Sequence, residues 1–183
     1  MGAREPRVAL AVHGDRRAHA PLREHPLGLP VVGIDPVPPA AGEAARLGIE
    51  VLGGPEKLDD LLLMADVVSI HVPLTPTTRG MIGPAALDRM KPSSILINVS
   101  RGQIVDQVAL LDALRSGRIA GAGLDVFAVE PLPLDDPLLA MDNVVLTPHV
   151  AGSTYATARR RGAAAAENVQ RVAKGSDPLY VVT

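Results

Sequence analysis

The chain has 183 residues, a formal net charge of -2, 47% hydrophobic residues and only 2% aromatic ones, with a mean hydropathy of +0.20 and a pI of about 6.2. That length suits a domain with a real core, built here from aliphatic side chains and alanine. The balanced charge leaves no field to attract nucleic acid, Phe127, Tyr155 and Tyr180 offer few platforms for stacked bases, and the absence of cysteine excludes disulfides, thiolate catalysis and cysteine-held zinc.

In chain order, Met1-Gly2 opens like a myristoylation signal, but Pro6 stands where serine or threonine is required. "VALAV" (8–12) reads as a first strand and is too short for a signal-peptide core. Apolar runs predict further strands at Val31–Asp35, Val67–Val72, Ile95–Val99, Ile119–Phe127 and Val144–Thr147. They are nearly continuous in apolar residues, as strands covered on both faces should be. Between them, Leu58, Leu61 and Leu62 form one helical stripe, and Val108, Leu111 and Leu114 form another, with Asp106 placed to cap and Gly117 to terminate. A last helix is predicted from Thr154 to Lys174, where Ala163–Ala166 favour helix and Gly162 weakens it. The alternation predicts an α/β fold with a doubly wound parallel sheet. No segment approaches a membrane span, so the expectation is a cytoplasmic protein with neither membrane nor nucleic acid among its partners.

In such a sheet, ligands bind beyond the carboxyl ends of the strands. Those ends carry Asp35, then "HVPLTP" (71–76), "NVSRG" (98–102), "LDVFAVEP" (124–131) and "TPHVAGST" (147–154). Each alone is ordinary, since an acid or histidine after a strand is commonly a cap or a solvated loop residue. Their recurrence on successive strands points to a ligand.

The stretches "ADVVSIHVPLTPTTRGMI", "MKPSSILINVSRG", "SGRIAGAGLDVFAVEPLP" and "DNVVLTPHVAGST" carry a family resemblance. From Val31 to about Asn168 the chain resembles the nucleotide-binding domain of the D-isomer-specific 2-hydroxyacid dehydrogenases, particularly the phosphoglycerate dehydrogenase type. The resemblance implies a Rossmann-like fold, a homodimer, and NAD-dependent interconversion of a 2-keto and a 2-hydroxy acid. Glyoxylate and hydroxypyruvate reductases share most of these motifs.

Reduction of a keto acid needs a cation for the carboxylate and an acid for the developing alkoxide. The resemblance assigns the first task to Arg101, whose planar fork pairs a carboxylate bidentately. It assigns the second to His149, whose type titrates near pH 6.5 when unperturbed, and makes Glu130 the carboxylate that orients the imidazole. In isolation each has a plainer explanation: a surface arginine before a glycine turn, a structural histidine, a loop glutamate before proline. For the cofactor, the resemblance implies Asp35 at the adenosine ribose and His71, Val72 and Pro73 in the adenine-side loop. It implies Val99, Ser100, Ala151 and Gly152 as backbone-lined cofactor positions, Arg101 and His149 as further cofactor contacts, and Asp125 at the nicotinamide end. Pro36, rather than an arginine, follows Asp35 and would leave a 2′-phosphate without a counter-charge, so NAD is expected over NADP.

The stretch "HGDRRAHAPLREHPLGLP" (13–30) departs from the pattern, because a G-x-G-x-x-G loop should follow the first strand and Gly14 is its sole glycine before Gly28. "GAG" at 121–123 lies inside a strand and has Val126 at the third glycine position, so it is no substitute. Either Arg16, Arg17 and Arg23 bind pyrophosphate by charge, although Pro21 and Pro26 disrupt the helix that should help, or residues near 13–30 come from a displaced reading frame. Metal binding by His13, His19 and His25 is not expected, because spacings of six do not share a helical face. The expected organisation is a degenerate or misread segment 1–30, an NAD-binding domain 31–150 and a carboxyl-terminal helix and tail 151–183. The family's amino-terminal substrate domain is expected to be missing. Two functions follow as expectations: a dehydrogenase, or a remnant that folds or dimerises without turnover.

Overall fold

A computed structural model gives the fold, describing residues 8–12, 29–37, 42 and 48–181. The chain divides into two compact units, one ending at Pro148 and the other beginning at His149. His13, His19, His25, Arg16, Arg17 and Arg23, with the prolines and glycines between them, lie outside the described residues.

The first unit is built on a seven-stranded sheet. Its strands are β1 (Val8–Val12), β2 (Val31–Ile34), β3 (Ile49–Gly53), β4 (Val67–His71), β5 (Ile95–Asn98), β6 (Gly121–Leu124) and β7 (Val144–Leu146). They lie in the order β3-β2-β1-β4-β5-β6-β7, and every neighbouring pair is parallel. This is the doubly wound Rossmann-like arrangement, with the strand order reversing between β1 and β4. Val12, the last residue of β1, stands in register with His71, the last of β4.

Helices α1 (Leu58–Met64), α2 (Pro84–Arg89) and α3 (Gln107–Arg115) belong to this unit. In α1, Leu61 and Leu62 are fully buried, each contributing roughly 1.5–3 kcal/mol by leaving water. Its end is closed by Lys91, whose Nζ donates to the Met64 carbonyl and the Asp66 carboxylate, both at 2.7 Å. A cation there also complements the helix dipole. Asp106 caps α3 by accepting the Val108 and Ala109 N–H groups at 3.1 Å, and Gly117, at φ 68°, ends it.

The stripe of α3 differs from expectation. Leu110, Ala113 and Leu114 face the core, whereas Val108 is 70% exposed. The buried face follows the i, i+3, i+4 set that begins at Leu110 rather than at Val108. Four predicted strands stop one residue before their apolar runs do, leaving Asp35, Val72, Val99 and Thr147 to the loops. The run Ile119–Phe127 yields a strand only at Gly121–Leu124. Ile119, Val126 and Phe127 are buried without pairing, since an apolar run signals burial before it signals a strand. Strand β3 and helix α2 have no counterpart among the predicted elements.

The second unit holds α4 (Tyr155–Ala173). Thr154 caps it, accepting the Thr157 N–H at 3.1 Å, and Gly175, at φ 71°, follows its end. The tail then turns back along the helix. Asn168 both donates to the Leu179 carbonyl at 3.1 Å and accepts its N–H at 2.7 Å.

Candidate active site

At the end of β2, Asp35 is only 6% exposed. Its N–H continues toward β3, donating to the Gly53 carbonyl at 3.1 Å. Its Oδ1 accepts the Val37 N–H at 2.7 Å, an Asx-type turn that fixes the carboxylate at the strand end. On the other side of β1, His71 ends β4 with Nε2 2.8 Å from the Ser69 hydroxyl. The residue as a whole is exposed, but its surroundings desolvate the ring and lower its pKa below 6.5. Pro73 is held through its carbonyl, which accepts from the Thr78 hydroxyl at 2.6 Å. The Val72 carbonyl accepts a short hydrogen bond from the Ser100 hydroxyl. That bond ties the loop after β5 to the loop after β4.

The loop after β5 is organised by Asn98, which is 1% exposed. Its Oδ1 accepts the Ser100 N–H at 3.1 Å, and its Nδ2 donates to the Arg101 carbonyl at 3.0 Å. Arg101 is exposed, and its Nη1 donates to the Ser100 carbonyl at 2.6 Å. The Ser100 N–H therefore serves its own loop, and its hydroxyl the tie to the loop after β4. Gly102 then presses against the loop after β6. A Cβ at Gly102 would lie 1.9 Å from the Phe127 carbonyl carbon and oxygen and 2.6 Å from the Ala128 nitrogen. Only glycine permits that approach.

The loop after β6 carries Asp125 and Glu130. Asp125 is 3% exposed and accepts from the Thr147 hydroxyl at 2.5 Å. Glu130 is exposed and folds back so that Oε1 accepts the Phe127 N–H at 2.9 Å. Two glutamines lock this loop to the Arg101 loop. Gln103 donates to the Ala128 carbonyl at 3.1 Å, while Gln107 accepts the Ala128 N–H at 3.1 Å and donates to Asp136 at 2.9 Å. Arg101 and Glu130 thus stand on interlocked loops at the carboxyl edge of one sheet, with Asp35 and Asp125 on opposite sides of the switch point.

His149, Ala151 and Gly152 open the second unit. His149 takes a left-handed backbone, φ 55°, a conformation that few non-glycine residues adopt outside constrained sites. The Ser153 N–H donates to the Val150 carbonyl at 2.8 Å, closing the turn that leads into α4. Among the described residues, no group of three or more histidines and acids could hold a metal, and no helix is long and apolar enough to cross a membrane.

Asn98, Gly102 and Thr147 lie within the quoted motifs without an expected task of their own, and Gln103 and Gln107 fall outside every expectation. The Asn98 turn had a readable signal, an asparagine at a strand end shortly before a glycine. The glutamines had none, because their partner is the backbone of a residue more than twenty positions away.

The family model described as D-isomer specific 2-hydroxyacid dehydrogenase, NAD binding domain, matches residues 17–151. A glyoxylate reductase of Korarchaeum cryptofilum is 51% identical over 137 residues, 75% of this chain and 40% of that protein. A D-3-phosphoglycerate dehydrogenase of Mycobacterium leprae is 47% identical over 149 residues, 81% of this chain and 27% of that protein. Among solved structures, a D-isomer specific 2-hydroxyacid dehydrogenase from Xanthobacter autotrophicus Py2 in complex with NADPH and MES superimposes with a TM-score of 0.80 at 39% identity, over 97% of this chain and 71% of that one. A D-lactate dehydrogenase with NAD+ from Lactobacillus jensenii gives 0.83 at 30% identity, over 97% and 56%. The chain spans less than half the length of the two sequence relatives. The family match begins at residue 17, upstream of the Val31 expected from the motifs. With that match covering most of its length, this chain belongs to the D-isomer specific 2-hydroxyacid dehydrogenase family, through the family's NAD-binding domain.

Proposed function

We propose that this chain works as an NAD-dependent 2-hydroxyacid dehydrogenase, of the phosphoglycerate dehydrogenase or glyoxylate and hydroxypyruvate reductase kind. The observation that carries this reading is the interlocking of the Arg101 and Glu130 loops at the carboxyl edge of the sheet. The acceptors present fit a dinucleotide: Asp35 and Asp125, 6% and 3% exposed, are carboxylates flanking the switch point. They suit the ribose hydroxyls and the carboxamide N–H groups at the two ends of such a ligand. Bound there, the nicotinamide would supply or take up hydride.

Arg101 holds the substrate carboxylate and polarises the carbonyl, His149 gives a proton to the carbonyl oxygen during reduction, and Glu130 orients the imidazole. Val72, Val99, Ala151 and Gly152 offer backbone beside the cofactor. Asp35 followed by Pro36 favours NAD, although two structural relatives are described with NADPH or NADP. A homodimer acting in the cytoplasm on a small 2-keto or 2-hydroxy acid completes the reading.

The test is NADH absorbance with glyoxylate and with hydroxypyruvate. Turnover that Arg101→Ala lowers by about a hundredfold or more, the scale of losing a transition-state anion partner, supports the reading. NADH consumption indifferent to Arg101→Ala contradicts it. The lack of a G-x-G-x-x-G loop between residues 13 and 30 favours a second reading, a chain that folds or dimerises without turnover. No turnover in the same assay would support that one.

A further inference from the structure

Thr147 is the last residue before the Pro148 that ends the first unit, and two of its groups straddle the link between Leu124 and Asp125. Its N–H donates to the Leu124 carbonyl at 3.0 Å, continuing the β6–β7 ladder. Its hydroxyl donates to Asp125 Oδ1 at 2.5 Å, within the range of a charge-assisted O–H to carboxylate bond. Asp125 is itself pinned by its N–H, which donates to the Asn98 carbonyl at 3.0 Å. A carboxylate 3% exposed at the edge of a parallel sheet is costly unless satisfied. A β-branched donor is a stiff way of satisfying it, because few rotamers are open to it.

We propose that Thr147 is a positioning residue for cofactor binding: its hydroxyl fixes the plane of the Asp125 carboxylate so that it receives the N–H donors of a nicotinamide carboxamide. The proposal rests on the reading of Asp125 as the nicotinamide-end acid. Alanine or valine at 147 leaves the ladder bond intact, since that bond uses backbone, and removes only the hydroxyl. Serine keeps the donor.

The ligands that separate positioning from structure are NADH and ADP-ribose, which share the adenosine diphosphate ribose but differ in the nicotinamide. Titration of the purified chain by calorimetry is expected to show Thr147→Val weakening NADH by about tenfold, the scale of one hydrogen bond to a charged group. ADP-ribose should bind Thr147→Val as it binds the unaltered chain, and Thr147→Ser should recover most of the NADH affinity. Asp125→Asn, measured beside them, separates the two levels of the claim. If Asp125→Asn leaves NADH binding unchanged, or the unaltered chain binds no NADH, the reading of Asp125 fails and the proposal with it. If Asp125→Asn weakens NADH selectively and Thr147→Val does not, or weakens ADP-ribose equally, Thr147 has no positioning role. Thr147→Ala stands in should the valine variant not fold. If neither folds while Thr147→Ser does, the hydroxyl is a structural requirement and the proposal is overturned.

Discussion

Replacing Gly102 by alanine should destabilise the first unit more than most single-methyl additions do. The new Cβ would sit 1.9 Å from the Phe127 carbonyl carbon and oxygen and 2.6 Å from the Ala128 nitrogen. These atoms are backbone and cannot swing aside as a flexible side chain would. They are also held by Gln103, Gln107 and Glu130. Relief therefore requires the two loops to part. Overpacking of this kind costs about 1–3 kcal/mol, and the two glutamine bonds to Ala128 would add about 0.5–1.5 kcal/mol each if lost. The smaller unfolded-state entropy of alanine offsets only about 0.4–1 kcal/mol. The expected net loss is about 1–6 kcal/mol, read from urea unfolding followed by circular dichroism, with a fall in Tm of roughly 2–20 °C for a chain of this size. A loss below about 0.5 kcal/mol, the scale of an ordinary surface substitution, would refute the close approach and the interlock built on it.

NADPH should bind at least about tenfold more weakly than NADH, because a 2′-phosphate would meet the buried Asp35 carboxylate; equal or tighter NADPH binding by fluorescence titration would remove Asp35 from the ribose. His71 should make stability fall as pH drops below about 6.5, since desolvation lowers its folded pKa and the unfolded chain takes up the proton first. The Tm of the unaltered chain should therefore decline more between about pH 7.5 and about pH 5.5 than that of His71→Gln, and equal declines would contradict the desolvated ring. Asn98→Ala strands the Ser100 N–H and the Arg101 carbonyl and should cost about 2–4 kcal/mol in urea unfolding. A cost below about 0.5 kcal/mol, the scale of an ordinary surface substitution, would show that the turn is held in some other way.

The parts legible in the sequence were those with local or periodic signals. "VVGI" is readable as a strand because both of its faces are covered, and "VVSIH" nearly so; "ILIN" is readable from its β-branched apolar run alone, since Ile95 is 41% exposed. Asp106 and Gly117 announced the ends of α3 through capping chemistry that spans only a few residues. "IEVLG" escaped because β3 is an edge strand interrupted by Glu50. Helix α2, six residues from Pro84, is too short to display a period. At the candidate site, position at a strand end singles out Asp35, whereas the roles expected of Arg101, Asp125 and Glu130 come from the family resemblance. What holds them was not legible. Thr147 reaches Asp125 across 22 positions, and Gln107 reaches Ala128 across 21. Such contacts exist only once the sheet has brought the strand ends together.

A crystal structure of the chain with NADH bound tests the central claim most directly. The adenosine ribose hydroxyls should lie on the Asp35 carboxylate and the nicotinamide carboxamide on Asp125, with the dinucleotide spanning the switch point between β1 and β4. A dinucleotide bound away from the carboxyl ends of the strands, or reversed so that its nicotinamide meets Asp35, would contradict the account.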